Sequence, residues 1–278
     1  VRYAGETARP FVASDGRFAM DLPTPDGGRR TAFVALTEGS RRYQQYFERV
    51  ERSEGFAFVR LPILWHIGSE RWLHLDTVFL SPDLLDPATY EWMLPDWDRH
   101  ADTWNGNCIF CHNTGPMPGE RLPADPGSAA PIAEREFDTR VAELGIACES
   151  CHGPGAEHVA AYANPLARYA DHASVSNETH IVNPERLDQE RSVAICGQCH
   201  GQRLPRDIGE MLTTGPSYRP GERLVDHVEP LELDMPLLPG QPEPGFRPRF
   251  WGDGTPRLTA YEYQGVVASP CTAGGEMT

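Results

Sequence analysis

Cys148-Glu-Ser-Cys151-His152-Gly-Pro-Gly-Ala-Glu-His158 is the stretch on which the reading of this chain turns. Two thiols three positions apart stand one helical turn apart, and an imidazole follows the second directly. The pattern occurs twice more, as Cys108-Ile-Phe-Cys111-His112 and Cys196-Gly-Gln-Cys199-His200. Cys-x-x-Cys-His is the attachment signature of c-type haem. Each thiol can form a thioether with one haem vinyl group, and the adjacent His then supplies the proximal imidazole to iron. The sequence therefore predicts three haems c, with His112, His152 and His200 as proximal ligands.

Other uses of the cysteines fit less well. Structural zinc takes paired Cys-x-x-Cys knuckles, so three pairs leave an odd half-site, and zinc does not explain a His after every pair. A thioredoxin-like centre is a single Cys-x-x-Cys without that His. A disulfide scaffold suits a shorter, more Cys-dense chain. Cys271 is the one left over of seven. It is a free thiol or pairs outside this chain, and its Ser-Pro-Cys setting offers no base to make it a nucleophile.

Six-coordinate irons need distal ligands, and seven His lie outside the motifs. That surplus favours bis-His ligation and electron transfer. His158 is the first candidate. It follows His152 too closely to reach the far face of the same haem, so it is expected to ligate a neighbouring one; the bland alternative is a solvated His at a helix start. His74 alternates with Trp72 on a strand and is a ligand or a satisfied core His. His180, just before a capped helix, is the third candidate ligand. His66, His100, His172 and His227 carry weaker signals.

Working outward, residues 1–104 form a Cys-free region that is partly β. Residues 105–212 form the three-haem core, and residues 213–278 a Pro- and Gly-rich extended tail. Phe56–His66 and Arg71–Leu80 are rich in strand formers and are separated by Gly68-Ser69-Glu70, which predicts a hairpin. Residues 41–52 suit strand or helix. Helices are expected over Ala156–Tyr169 and from Pro184 to about His200, the latter with Asn183 as N-cap. The expected fold class is a mostly irregular and α-helical multihaem cytochrome c fold, with short helices around the haems and a small N-terminal region containing the hairpin.

The chain has 278 residues, 26 Gly and 26 Pro, and a formal net charge of −15. All 25 basic residues are Arg. That fits either a GC-rich coding bias or bidentate pairing with carboxylates such as haem propionates. An acidic surface argues against nucleic acid and anionic lipid partners. No run of 18 apolar residues occurs, so no transmembrane segment is expected. The opening Val-Arg-Tyr-Ala lacks a signal-peptide pattern, so the expectation is a mature exported chain, periplasmic or extracellular.

Several stretches carry a resemblance. They are Trp72-Leu-His-Leu, Trp104-Asn-Gly-Asn-Cys108-Ile-Phe-Cys-His112, Phe137 through His158, Ile181-Val-Asn-Pro184, Cys196-Gly-Gln-Cys-His-Gly201, Phe250-Trp-Gly-Asp-Gly-Thr-Pro-Arg257 and Tyr261-Glu-Tyr-Gln-Gly265. From about residue 55 onward the chain resembles the multihaem cytochromes c related to the four-haem cytochrome of ammonia oxidisers, including relatives fused to tetratricopeptide repeats. The resemblance implies a haem-cored fold with few strands, and His158 as distal ligand to a neighbouring haem. Such relatives usually carry a further Cys-x-x-Cys-His after the Ser-Pro-Cys segment, whereas this sequence holds three motifs. They often carry an early His pair as distal ligand; here Arg41-Arg42 precede any His, which points to a ligand from elsewhere, such as another subunit.

The expected function is electron transfer, with redox proteins or identical subunits stacked in a filament as partners. The alternative is a multihaem oxidoreductase whose five-coordinate haem acts on a small nitrogen or sulfur species. No catalytic base or Lys ligand adjoins a motif, which favours the carrier over the enzyme.

Overall fold

The computed structural model describes residues 1–3, 5–24, 26–78, 103–121, 134–173, 180–236, 247–257 and 262–273. The chain divides into two units. The first comprises Val1–Ile109 with Pro118–Arg140, and the second Phe110–Met117 with Val141–Thr278.

In the first unit apolar residues recur at every second position, as at Met20 and Leu22, or Ala32, Val34 and Leu36, the period of a half-buried strand. After a two-residue pair, β1 (Arg2–Tyr3) with β2 (Glu6–Thr7), the strands are β3 (Arg9–Val12), β4 (Phe18–Pro23), β5 (Arg29–Glu38), β6 (Tyr43–Glu51), β7 (Phe56–Arg60), β8 (Ile63–His66) and β9 (Arg71–His74). All pair antiparallel as a meander. β7 and β8 both pair with β6, one beyond the other, so they act as one strand bent at Leu61-Pro62, where the proline has no amide to give the ladder. A register shift between Val34 and Leu36 adds local twist, and the sheet curls into a half-barrel. The β5–β6 turn requires Gly39: its φ is +86°, and a Cβ there would run into the Tyr43 carbonyl.

A core cluster buries Ala8, Met20, Leu22, Ala32, Leu61 and Ile63, with Tyr46 and Trp72 packed against them. Trp65 and Trp72 oppose each other across β8 and β9 with ring centroids 5.4 Å apart. Buried Phe137 closes the β7 end, exchanging backbone hydrogen bonds with Phe56 at 3.1 Å each way. Asn105 ties the same region together: its Oδ1 accepts from the Phe58 amide and its Nδ2 donates to Thr139 Oγ1, both at 2.7 Å.

The chain is thus sheet-rich, and the expectation of a mostly irregular and α-helical cytochrome fold is corrected. The reason is physical. A haem-cored fold draws its apolar interior from porphyrin, whereas this first unit builds its own from alternating side chains. The expected hairpin is present as β8–β9, and residues 43–51 are strand.

The second unit holds short elements: α1 (Ile109–His112, beginning at the unit boundary), β10 (Asn113–Thr114), β11 (Glu143–Leu144), α2 (Glu149–His152), α3 (Ala156–Ala161), α4 (Pro165–Ala173), α5 (Gln189–Gly197), β12 (Arg203–Pro205), α6 (Ile208–Thr214), β13 (Val228–Pro230), α7 (Glu262–Ala268) and α8 (Pro270–Ala273). Two expected helices are broken. Asn164, whose side chain accepts from the Leu166 amide at 2.9 Å, and Pro165 start α4 afresh. Asp188 caps α5, accepting from the Arg191 amide at 2.9 Å, after a separate 3-10 turn at Pro184–Arg186. Helix α6, capped by Asp207, runs across the expected boundary at 212, and α7 and α8 fall in the tail expected to be extended. A small core gathers Ala194, Tyr218, Leu224, Val228 and Tyr263. Among the described residues no helix is long and apolar enough to cross a membrane.

Candidate functional site

The second and third Cys-x-x-Cys-His segments each form one helical turn. The amides of Cys151 and His152 donate to the Cys148 carbonyl at 3.2 and 3.0 Å, and those of Cys199 and His200 to the Cys196 carbonyl at 3.1 and 2.8 Å. Positions i, i+3 and i+4 share a helix face. Both thiols and the imidazole of each segment therefore project to one side, as attachment to a single porphyrin requires.

Within the second unit residues 110–112 of the first segment meet the third, and the third meets the second. Cys111 Sγ lies 3.8 Å from the Cys199 carbonyl oxygen, and Cys199 Sγ lies 3.9 Å from that of Phe110. Gln198 Nε2 donates to the Ser150 carbonyl at 2.8 Å, joining third to second. Thr114 fixes the loop before Cys148: its Oγ1 donates to the Gly145 carbonyl at 2.9 Å and accepts from the Ala147 amide at 2.8 Å. No disulfide joins any of the seven cysteines.

The thiols differ in acidity. A hydrogen bond with the Cys199 thiol, then the Arg203 guanidinium 3.7 Å from the sulfur, hold Cys111 well below the ordinary range. The same hydrogen bond and burial push Cys199 up. Burial raises Cys151, with Cys196 and Cys148 adding to it.

The histidines of the second and third segments are gripped in matching fashion. His152 accepts at its carbonyl from the Val182 amide at 3.0 Å, and its Nδ1 donates to the Val182 carbonyl at 2.7 Å. His200 accepts at its carbonyl from the Tyr263 amide at 2.9 Å, and its Nδ1 donates to Glu262 Oε2 at 3.0 Å. A carbonyl or carboxylate can only accept, so Nδ1 carries a proton in both rings, and in the neutral imidazole that leaves the lone pair on Nε2. A metal-ligating imidazole is held in the same way, its other ring N–H given to a carbonyl or carboxylate. The hydrogen bond with His200 holds the Glu262 carboxyl below its ordinary range.

The other expected ligands fall as follows. His158 is half-buried in α3, its ring 4.8 Å from that of Tyr162. The preceding Gly-Pro-Gly turn is held by Glu149, whose Oε1 accepts from the Gly155 amide at 2.7 Å. His180 is exposed at φ +53° and lies two residues before Val182, in the segment that grips His152. His74 belongs to the first unit, buried with its ring stacked on Tyr3 at 3.8 Å. His227 gives one nitrogen to Ser217 and the other to Glu222, at 3.0 and 3.1 Å. His66 is engaged with Ser69. His100 and the side chain of His172 lie outside the described residues.

A small open pocket adjoins the first and third segments, lined by Phe110, Gln198, Arg203, Met211, Tyr218 and His227. Among the described residues no three of His, Cys, Asp and Glu converge into a group that could hold a metal ion. Arg203, Val182 and Glu262 escaped the reading of the chemistry. The only signal for the last two was that their stretches, Ile181–Pro184 and Tyr261–Gly265, belong to the resemblance. Comparison with family profiles, curated proteins and solved structures finds no match for this chain.

Proposed function

We propose that this chain is a multihaem c-type cytochrome, periplasmic or extracellular, that transfers electrons through three covalently held haems. The matched grip on His152 and His200 carries the reading: two imidazoles, each directly after a Cys-x-x-Cys pair, both with Nδ1–H committed and Nε2 free to ligate. Cys108 and Cys111 with His112, Cys148 and Cys151 with His152, and Cys196 and Cys199 with His200 would hold the three groups. The donor set fits, since each fully placed segment turns two thiols and one imidazole to the same side.

When bound, each haem supplies a one-electron couple. The chain's own residues fix ring orientation through Val182 and Glu262, and Arg203 sets a positive charge beside the first segment. Distal ligation falls to His158 and His180 in the second unit, or to a further copy. Partners are then redox proteins or identical subunits in a filament. The test is the optical spectrum of native protein after reduction. Sharp bands of a low-spin ferrous c-type centre are expected; a colourless sample overturns the reading.

A further inference from the structure

The two gripped imidazoles share a backbone pattern and differ in one chemical respect. His152 Nδ1 donates to a neutral main-chain carbonyl, and His200 Nδ1 to a carboxylate. We infer that Glu262 is a potential-setting residue, which polarises His200 and makes the haem of the third segment harder to reduce than the same haem would be without that charge. The inference rests on the haem-binding reading above and assigns the site a specific inequality.

Glu262 is no chance surface contact, because α7 is clamped onto the segment by the two residues that follow it. The Tyr263 amide donates to the His200 carbonyl at 2.9 Å. Gln264 Oε1 accepts from the Gln202 amide at 3.2 Å, and its Nε2 donates back to the Gln202 carbonyl. The Tyr263 ring packs on Gly197 and Gly201 so closely that a Cβ at Gly197 would stand 2.7 Å from Tyr263 Cε2. The backbone carrying Glu262 is thus fixed through Tyr263 and Gln264, and its carboxylate accepts from His200 Nδ1.

A carboxylate accepting from Nδ1–H draws the proton toward itself and raises the basicity of Nε2. A more basic imidazole and a nearby negative charge both stabilise ferric over ferrous iron, which lowers the potential. The carbonyl facing His152 is a dipole without net charge and does this less. The His200 and Glu262 side chains are 58% and 65% exposed, so solvent screens the charge and the effect is moderate. The haem on Cys148 and Cys151 serves as internal reference, since no substitution removes its main-chain acceptor.

The test uses the holoprotein and its Glu262→Gln and Glu262→Asp variants. Haems are counted by intact mass, potentials are measured by spectroelectrochemistry, and the ferric signals by electron paramagnetic resonance. The third-segment haem is identified as the one missing from a Cys196→Ala/Cys199→Ala variant. With Glu262→Gln its reduction equilibrium is expected to shift on the order of tenfold toward ferrous, about 59 mV for one electron. Its ferric signal changes, the other two haems keep theirs, and Glu262→Asp falls between. Three haems with every potential and signal unchanged in Glu262→Gln overturn the inference and leave the cytochrome reading standing. A wild-type chain without haem overturns both.

Discussion

The ring of Tyr263 occupies the space that a side chain at Gly197 would need. Gly197 is a middle residue of the third Cys-x-x-Cys-His segment, so local packing, and not haem chemistry, dictates that it be glycine. Gly197→Ala is expected to destabilise the second unit by about 1–3 kcal/mol through overpacking. In a Tyr263→Ala background the same change should be close to neutral, since the obstructing ring is gone. A double-mutant cycle by denaturant unfolding checks this, and equal costs in both backgrounds would refute it.

Asn105 is fully buried and bridges Phe58 to Thr139. Asn105→Ala leaves the Phe58 amide without its acceptor in the interior of the first unit. A loss of about 1–3 kcal/mol is expected. Amide hydrogen exchange at Phe58 provides a local readout, and its protection should fall with global stability or faster.

Glu120 is buried beside Arg135 at 3.4 Å, and its Oε2 has no hydrogen-bond partner among the described residues. Burial raises its carboxyl above the ordinary value, partly offset by Arg135. With the folded value above the unfolded one, the folded state binds the proton more tightly. Its contribution to stability is therefore greatest below the unfolded value and is lost as pH rises through the folded one. Glu120→Gln, which mimics the neutral form, should stabilise the chain at neutral pH by on the order of 1 kcal/mol. The gain should vanish under acid conditions. Thermal unfolding across pH measures both, and a pH-independent difference would contradict the sign.

Each haem should be separable. Cys148→Ala/Cys151→Ala is expected to lose one haem and retain two, because the remaining thiols and imidazoles lie on other segments. Loss of all three would show that the second segment is needed to assemble the rest.

The sequence displayed the thiols and proximal imidazoles directly, because covalent attachment demands a fixed spacing. It showed much less of what orients them. The acceptors for His152 and His200 lie 30 and 62 residues away along the chain, and a main-chain carbonyl such as that of Val182 leaves no side-chain signature. The curled sheet was legible in part. Residues 56–66 and 71–80 read as strands, of which the second is strand only over Arg71–His74 and turns 3-10 at Leu75–Thr77, whereas β4 and β5 carry no such reading although Met20, Leu22, Ala32 and Val34 alternate as strands do. A cofactor expected to fill the core removes the need to look for a sheet that fills its own. Helix limits failed where one side chain decided them, at Asn164, Asp188 and Asp207.

The most direct measurement is the intact mass of the native protein before and after chemical removal of its prosthetic groups. A mass in excess of the polypeptide by three haem increments, held until thioether cleavage, is the expected result. A native mass equal to that of the bare chain would contradict covalent haem attachment at all three segments.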